Sequence, residues 1–222
     1  MRDLEDYEFL AKRRLSGIKI FSEPWFGSSD ATDWFLEAIR SSARYLEYGT
    51  GGSTYTAAKT GVEFVAIDSD RDFLDAVRKK IADDGFANPA TQTYLHADIG
   101  KTGSRGRPLH WNKADAARLD QFRRYSDLPA ACFDGGITPD LVLVDGRFRV
   151  ACALKALRML RGRQGWTLAV DDYVPRRQYH VIADFAEVDE YIADRIAVFR
   201  STKEFSTDKI DARIREFETD PA

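Results

Sequence analysis

Short, unbroken apolar runs alternate along this chain with longer stretches in which apolar residues recur every three or four positions. The first pattern suits strands of a sheet and the second suits helices laid against its faces. The runs predict strands at Tyr45–Tyr48, Glu63–Ile67, Thr91–Ala97, Asp140–Asp145 and Trp166–Val170, with two more near Val188–Ile192 and Ile196–Arg200. Helical spacing predicts helices at Leu4–Leu15, from an Asp30 cap to Arg40, and at Asp70–Asp83 with Gly85 as the stop. Further helices are predicted at Lys113–Tyr125, at Val150–Leu160, from Tyr173 to about Glu187, and at Thr207–Phe217. The aromatic stretch Phe21–Gly27 reads as a loop because Pro24 and Gly27 interrupt any regular spacing, and Trp25 or Phe26 there is a candidate lid.

This order specifies an α/β fold, a Rossmann-like doubly wound, mostly parallel seven-stranded sheet with helices on both faces and right-handed crossovers. We read residues 1–222 as one domain, with N-terminal helices to 40, a core over 41–200 and a C-terminal helix and tail over 201–222. An insertion at 99–139 is far longer than an ordinary connection. Its first part, Lys101–Pro108, is glycine-rich and basic, which suits a mobile lid with Arg105 and Arg107 available to an acidic substrate.

Composition narrows the classes without choosing a chemistry. With 222 residues, 44% hydrophobic and 31% charged, the chain has enough apolar surface for one substantial core and is neither fibrous nor disordered. A net charge of −3 argues against affinity resting on nucleic-acid phosphates. Cys132 and Cys152 form no C-x-x-C and read as plain buried thiols. The N-terminus lacks an unbroken apolar run, so no secretory signal or membrane span is expected, and a cytoplasmic location is. The strand-like runs near the C-terminus leave room for a homodimer.

The chemistry gathers at Arg44–Asp70. The run Tyr45–Tyr48 stops at Gly49-Thr50-Gly51-Gly52, where residues lacking Cβ allow a sharp bend and a close ligand. Ser53 and Thr54 stand where a helix would start and can cap its free amides. Glu47, just before the turn, suits a ligand with a cationic amine and would repel a phosphate. Asp68, at the carboxyl end of the second strand and beside Ser69, is placed to bind ribose hydroxyls. A nicotinamide dinucleotide would require G-x-G-x-x-G, which is absent.

Glu47-x-Gly49-x-Gly51-Gly52 with Asp68 resembles the class I S-adenosylmethionine-dependent methyltransferases, although Ser53 stands where their third glycine falls. The resemblance implies that Glu47, Gly49, Gly51, Gly52, Ser53, Asp68 and Ser69 hold S-adenosylmethionine. It also makes Asp98, with Ile99, a candidate contact for the adenine amino group; the alternative for Asp98 is a helix or turn cap. PDLVLVDGRFRVACAL followed by DDYVPRRQYH also resembles a group of small bacterial methyltransferase-like proteins.

Three acids fall at neighbouring strand ends, Asp145 on one and Asp171-Asp172 on the next. Unpaired they would repel, and a hard cation such as Mg²⁺ would relieve them. This arrangement resembles metal-dependent sugar O-methyltransferases, in which the cation orients acceptor hydroxyls. The resemblance makes Asp145, Asp171 and Asp172 candidate metal ligands. In those enzymes a general-base acid follows the first metal aspartate by two positions; here that position is Arg147, which cannot accept a proton. His180 or Tyr173 is then the candidate base, beside Asp145. Arg147, Arg149, Arg176 and Arg177 either neutralise the acids by ion pairing or bind a carboxylate or phosphate of the acceptor. The expectation is methyl transfer to oxygen of a small, hydroxylated, anionic molecule; the rival reading is a non-catalytic protein that binds the same nucleoside.

Overall fold

The computed structural model describes residues 2–127, 129 and 138–222. Its seven strands are β1 (Arg44–Tyr48), β2 (Glu63–Asp68), β3 (Gln92–His96), β4 (Leu141–Val144), β5 (Thr167–Val170), β6 (Ala186–Ile192) and β7 (Ile196–Thr202). They form one sheet in the order β3-β2-β1-β4-β5-β7-β6. The first five pair in parallel, and β7 runs antiparallel to both β5 and β6. The expected doubly wound sheet is therefore present, and the strand order reverses between β1 and β4, where such sheets open a crevice.

Seven α-helices accompany the described strands: α1 (Arg2–Ser16), α2 (Ser29–Ser41), α3 (Gly52–Thr60), α4 (Arg71–Asp83), α5 (Ala116–Tyr125), α6 (Arg149–Leu160) and α7 (Thr207–Phe217). Successive strand residues point to opposite faces, so the sheet divides the core in two. Leu46, Tyr48, Val142, Val144 and Val170 pack with α6 and α7 on one side. Tyr45, Phe64, Leu141, Leu143 and Val198 pack with α2, α3 and α4 on the other. The most completely covered helix is α6, in which every residue from Arg149 to Leu157 is buried.

Several local expectations change. Ser28, rather than Asp30, caps α2: its Oγ accepts from the Ala31 N–H at 3.2 Å, and Asp30 lies in the first turn. The helix expected from Lys113 begins instead at Ala116, with Asp115 accepting from the Arg118 N–H at 2.9 Å. The helix expected from Tyr173 to Glu187 is a 3₁₀ helix over Arg177–Asp184, and Ala186 already belongs to β6. Pro175 disfavours helical geometry at Val174, and residues 171–175 form turns instead. Cys152 is a buried free thiol, whereas Cys132 and part of the 99–139 insertion lie outside the described residues. No helix among those residues is long and apolar enough to cross a membrane.

The N-terminal segment covers the carboxyl ends of the strands and is joined to them mainly by polar contacts. Arg13 of α1 grips the Asp70 carboxylate, and Asp6, which is buried, pairs with Arg107. After α1, the chain around Glu23 and Pro24 lies directly on the glycine turn. A Cβ on Gly52 would stand 2.5 Å from the Glu23 carbonyl carbon and 2.6 Å from Pro24 N. Gly52→Ala should therefore cost about 1–3 kcal/mol in denaturant unfolding despite alanine's better helix propensity. Wild-type stability in that variant would show that the loop yields without cost.

Candidate active site

The glycine turn brings two strand ends into contact. Gly49 has φ +97°, and its N–H donates to Ile67 O at 2.8 Å. A Cβ there would come within 2.6 Å of Gly146 N, so the turns after β1 and β4 can meet only because both carry glycine. Thr50 donates from its N–H and its hydroxyl to Asp68 Oδ2, at 2.8 and 2.7 Å, and the Asp70 N–H donates to Asp68 Oδ1 at 2.8 Å. Asp68 is thus held in one orientation, and burial raises its pKa despite those donors. The outer side of Gly51 is open, with no atom within 4 Å of the position a Cβ would take.

Behind the turn, Glu47 is fully buried. Its Oε2 accepts from the Tyr45 hydroxyl at 2.8 Å and the Ser53 hydroxyl at 2.7 Å. Its Oε1 has no hydrogen-bond partner among the described residues. Withdrawal from water pushes the carboxyl up to about 7, opposed by the hydroxyls that donate to it.

A cleft of about 700 Å³ opens at the β1–β4 switch. Of the residues proposed from sequence for the cofactor, Gly49, Asp68 and Ser69 line it; Glu47, Gly51, Gly52 and Ser53 build the turn from behind or beside. Asp98 and Ile99 do not line it. Asp98 is exposed and accepts from the Gly100 N–H at 2.8 Å, the turn-cap alternative, while Ile99 is buried in the core. Asp145, Arg147, Arg149 and Arg176 line the cleft, whereas Arg177 is exposed and does not.

The acids of β4 and β5 are matched by arginines. Arg149, buried under the cleft, donates to the carbonyls of Gly146, Asp171 and Asp145 at 3.0, 2.7 and 2.9 Å. The same guanidinium stands 2.8 Å from Asp145 Oδ1, 3.3 Å from Asp171 Oδ2 and 3.4 Å from Asp172 Oδ2. Arg195, from the β6–β7 turn, takes both oxygens of Asp171 at 2.6 and 2.8 Å and reaches Asp172 at 2.7 Å. Arg176 donates to Asp172 at 2.9 Å. Burial alone would raise Asp171, but the Arg195 and Arg149 contacts bring it below the usual carboxylate range. Asp145 is shifted the other way, first by loss of water and then by its acidic neighbours Asp171 and Asp172, against the pull of Arg149.

This pairing does not fit a metal centre. No group of three His, Cys, Asp or Glu side chains among the described residues is placed to hold an ion. Three guanidiniums already supply the counter-charge, taking both oxygens of Asp171 and of Asp172 and one of Asp145. The ion-pairing alternative for the arginines therefore replaces the metal-triad expectation for Asp145, Asp171 and Asp172.

The candidate bases His180 and Tyr173 are also not in the cleft. His180 is exposed, its ring stacks on Tyr173 with centroids 5.0 Å apart, and its Nε2 lies 3.2 Å from Tyr173 O. Tyr173 is buried against Phe199, and burial raises its pKa to about 12. The 3₁₀ helix turns Tyr179 and Arg176 toward the arginine cluster in their place, with the Arg176 guanidinium 3.1 Å from the Tyr179 hydroxyl.

Sequence reading missed Arg195, Arg13 and Tyr125, each of which reaches the cleft from a distant segment. Tyr125 is buried and accepts from the Arg147 N–H at 3.2 Å, beside a Gly146 that leaves no room for a Cβ. No local motif marks any of the three. Trp25, proposed as a lid, lines the cleft while 71% exposed, whereas Phe26 is core, packed on Phe35.

No protein-family model and no curated protein sequence matches this chain. Solved structures do. A methyltransferase-like protein from Silicibacter pomeroyi DSS-3 aligns with 29% identity and a TM-score of 0.73, over 90% of this chain and all of that one. The O-methyltransferase TomG from Streptomyces achromogenes, solved with SAM, aligns at 17% identity and a TM-score of 0.50, over 90% of this chain and 98% of its own. Cofactor-bound Rv0187 from MTB aligns at 16% identity and a TM-score of 0.50, over 92% and 91%. With its strand order, its glycine turn facing the switch-point cleft and this near full-length similarity, the chain has the fold of the class I S-adenosylmethionine-dependent methyltransferases.

Proposed function

We propose that this protein transfers a methyl group from S-adenosylmethionine to an oxygen of a small, hydroxylated, anionic acceptor. The observation that carries the reading is the lining of the cleft. One wall is the Gly49–Thr50 turn with Asp68, and the rest presents eight lysines and arginines against four aspartates in all. A nucleoside suits the first part and an anion the second. The similarity to a methyltransferase-like protein and to the fold of an O-methyltransferase supports the same reading.

The residues present fit the cofactor. Asp68, fixed by Thr50, would accept hydrogen bonds from the ribose, and the open side of Gly51 leaves room beside the turn. Glu47 lies behind that turn with one oxygen unpartnered, and a cationic ligand in front would favour its ionised form. When bound, the cofactor supplies an electrophilic methyl group. The protein's task is then to orient the acceptor and receive its proton. Asp145 is suited to the second role: it lines the cleft, its side chain is 36% accessible, and its raised pKa makes it a stronger base than an ordinary carboxylate. Arg147, which has no ion pair among the described residues, would hold the anionic group of the acceptor.

Calorimetric titration with S-adenosylhomocysteine should give binding that Asp68→Ala weakens at least tenfold and that Mg²⁺ leaves unchanged. Absence of binding by the wild-type protein would remove the methyltransferase reading. With a panel of hydroxylated acids as acceptors, Asp145→Asn should lower kcat about 10²–10⁴-fold while leaving S-adenosylhomocysteine affinity intact. Because the base must be ionised, wild-type kcat should rise with pH through the elevated Asp145 pKa. A pH-independent kcat in the wild type would exclude that role. Binding of the nucleoside with no turnover across the panel would favour the non-catalytic reading.

The folded-state pKa of Glu47 lies above its ordinary value of 4.5, so the native protein takes up a proton that the unfolded chain does not. The associated stability is present at low pH and is lost as pH rises from about 4.5 through about 7. Glu47→Gln should abolish that loss, making the variant more stable than wild type by about 3 kcal/mol at pH 8 and nearly equal at pH 5. Parallel stability–pH curves for the two proteins would show that Glu47 titrates normally.

A further inference from the structure

Beside the main cleft lies a smaller cavity of about 300 Å³, bounded by Glu5, Asp6 and Phe9 of α1, by Ser104, Arg105 and Arg107 of the insertion, and by Arg147. Phe9, Arg105 and Arg147 line both spaces, so a molecule in the cleft can extend an arm into the smaller one. The charges around it do not balance. Asp6 is committed to Arg107 and to the Ser104 N–H, 3.1 Å away, and Glu5 is exposed. Three arginines therefore face two acids, one of which is already engaged.

Arg147 is the unusual member. Arg149, Arg176 and Arg195 each pair with an aspartate, but Arg147 has no ion pair among the described residues. Its Nε is buried without a hydrogen-bond partner, and its Nη2 donates to the Pro221 carbonyl. Loss of water, followed by the Arg149 charge, pushes this guanidinium down to about 10, the signature of a cation held without its anion. Arg105 adds a second, independent observation. It has φ +56° and is followed by Gly106 at φ +67°, a left-handed pair that costs an arginine about 1–2 kcal/mol. Strain of this kind clusters at active sites and ligand clamps.

We propose that the side cavity is an oxyanion subsite in which Arg147 and Arg105 bind a carboxylate or phosphate arm of the acceptor. The identification of that arm with the acceptor rests on the methyl-transfer reading; the subsite itself does not.

The test follows thermal unfolding of the full chain in sodium phosphate, sodium acetate and sodium chloride at equal ionic strength and pH 7. Either oxyanion should raise Tm by at least 2–3 °C over chloride in the wild-type protein, consistent with a ligand that binds only the folded state. The larger difference between wild type and the variants below identifies the preferred group, because general stabilisation by a kosmotropic anion is common to all of them. Arg147→Met and, separately, Arg105→Ala should weaken the apparent affinity at least tenfold, whereas Arg177→Ala, at a residue that lines neither space, should leave it within threefold. Arg105 is exposed, so its variant remains informative if loss of Arg147 disturbs folding. The proposal is overturned if phosphate and acetate both behave as chloride, or if neither variant changes the response. An oxyanion response without nucleoside binding would instead remove the methyl-transfer reading and leave the subsite standing.

Discussion

The buried guanidinium of Arg149 is the contact on which the floor of the cleft depends. It ties three backbone carbonyls and three carboxylates at the ends of β4 and β5 into one unit. Without it, Asp145, Asp171 and Asp172 would face one another in a space with little water. Removing one partner of such a buried pair typically costs about 3–5 kcal/mol, because the other charge is left stranded. Its position follows from chain order: Arg149 is the first residue of α6, immediately after the turn that ends β4. Arg195 completes the arrangement from the opposite side, so the site requires the β6–β7 turn as well as the parallel core.

That charge balance determines what the acids can do. Asp171 is clamped by two arginines and kept ionised, whereas Asp145 has Arg149 but also two acidic neighbours and remains partly open to the cleft. The environment therefore separates the proton affinities of two nearby carboxylates, which is how one of a pair becomes a base near neutral pH. Fixed guanidiniums supply the counter-charge of these acids. Arg147 has no acid of its own among the described residues, and its Nε is buried without a hydrogen-bond partner.

The cofactor wall depends on close approach more than on charge. Gly49 and Gly146 allow the turns after β1 and β4 to touch, and Gly52 allows the Glu23–Pro24 segment to lie on the start of α3. The covering layer that results differs from the core beneath it. Of the α1 side chains with a described environment, Asp6 alone is fully buried, and ion pairs to Asp70 and Arg107 hold the helix in place. These pairs are themselves largely withdrawn from water, so they fix the helix over the cleft more firmly than exposed ion pairs would.

The architecture was legible from local pattern: all seven strands, α4, α6, α7 and the glycine turn lie where apolar runs, helical spacing and Gly49–Gly52 put them. Such features depend on neighbours along the chain, since apolar periodicity and turn stereochemistry act over a few residues. The same local view placed Asp68 and Asp145 at strand ends facing one cleft. It could not show that Arg195, Arg13 and Tyr125 arrive there from other segments, that His180 and Tyr173 stack on each other outside the cleft, or that Asp98 faces solvent. Whether Asp145, Asp171 and Asp172 hold a metal or pair with arginines was also undecidable in one dimension, because both outcomes use the same acids at the same spacing. Which counter-charge lies within 3–4 Å of those acids is a property of the packed chain, and here the tertiary structure placed guanidiniums there.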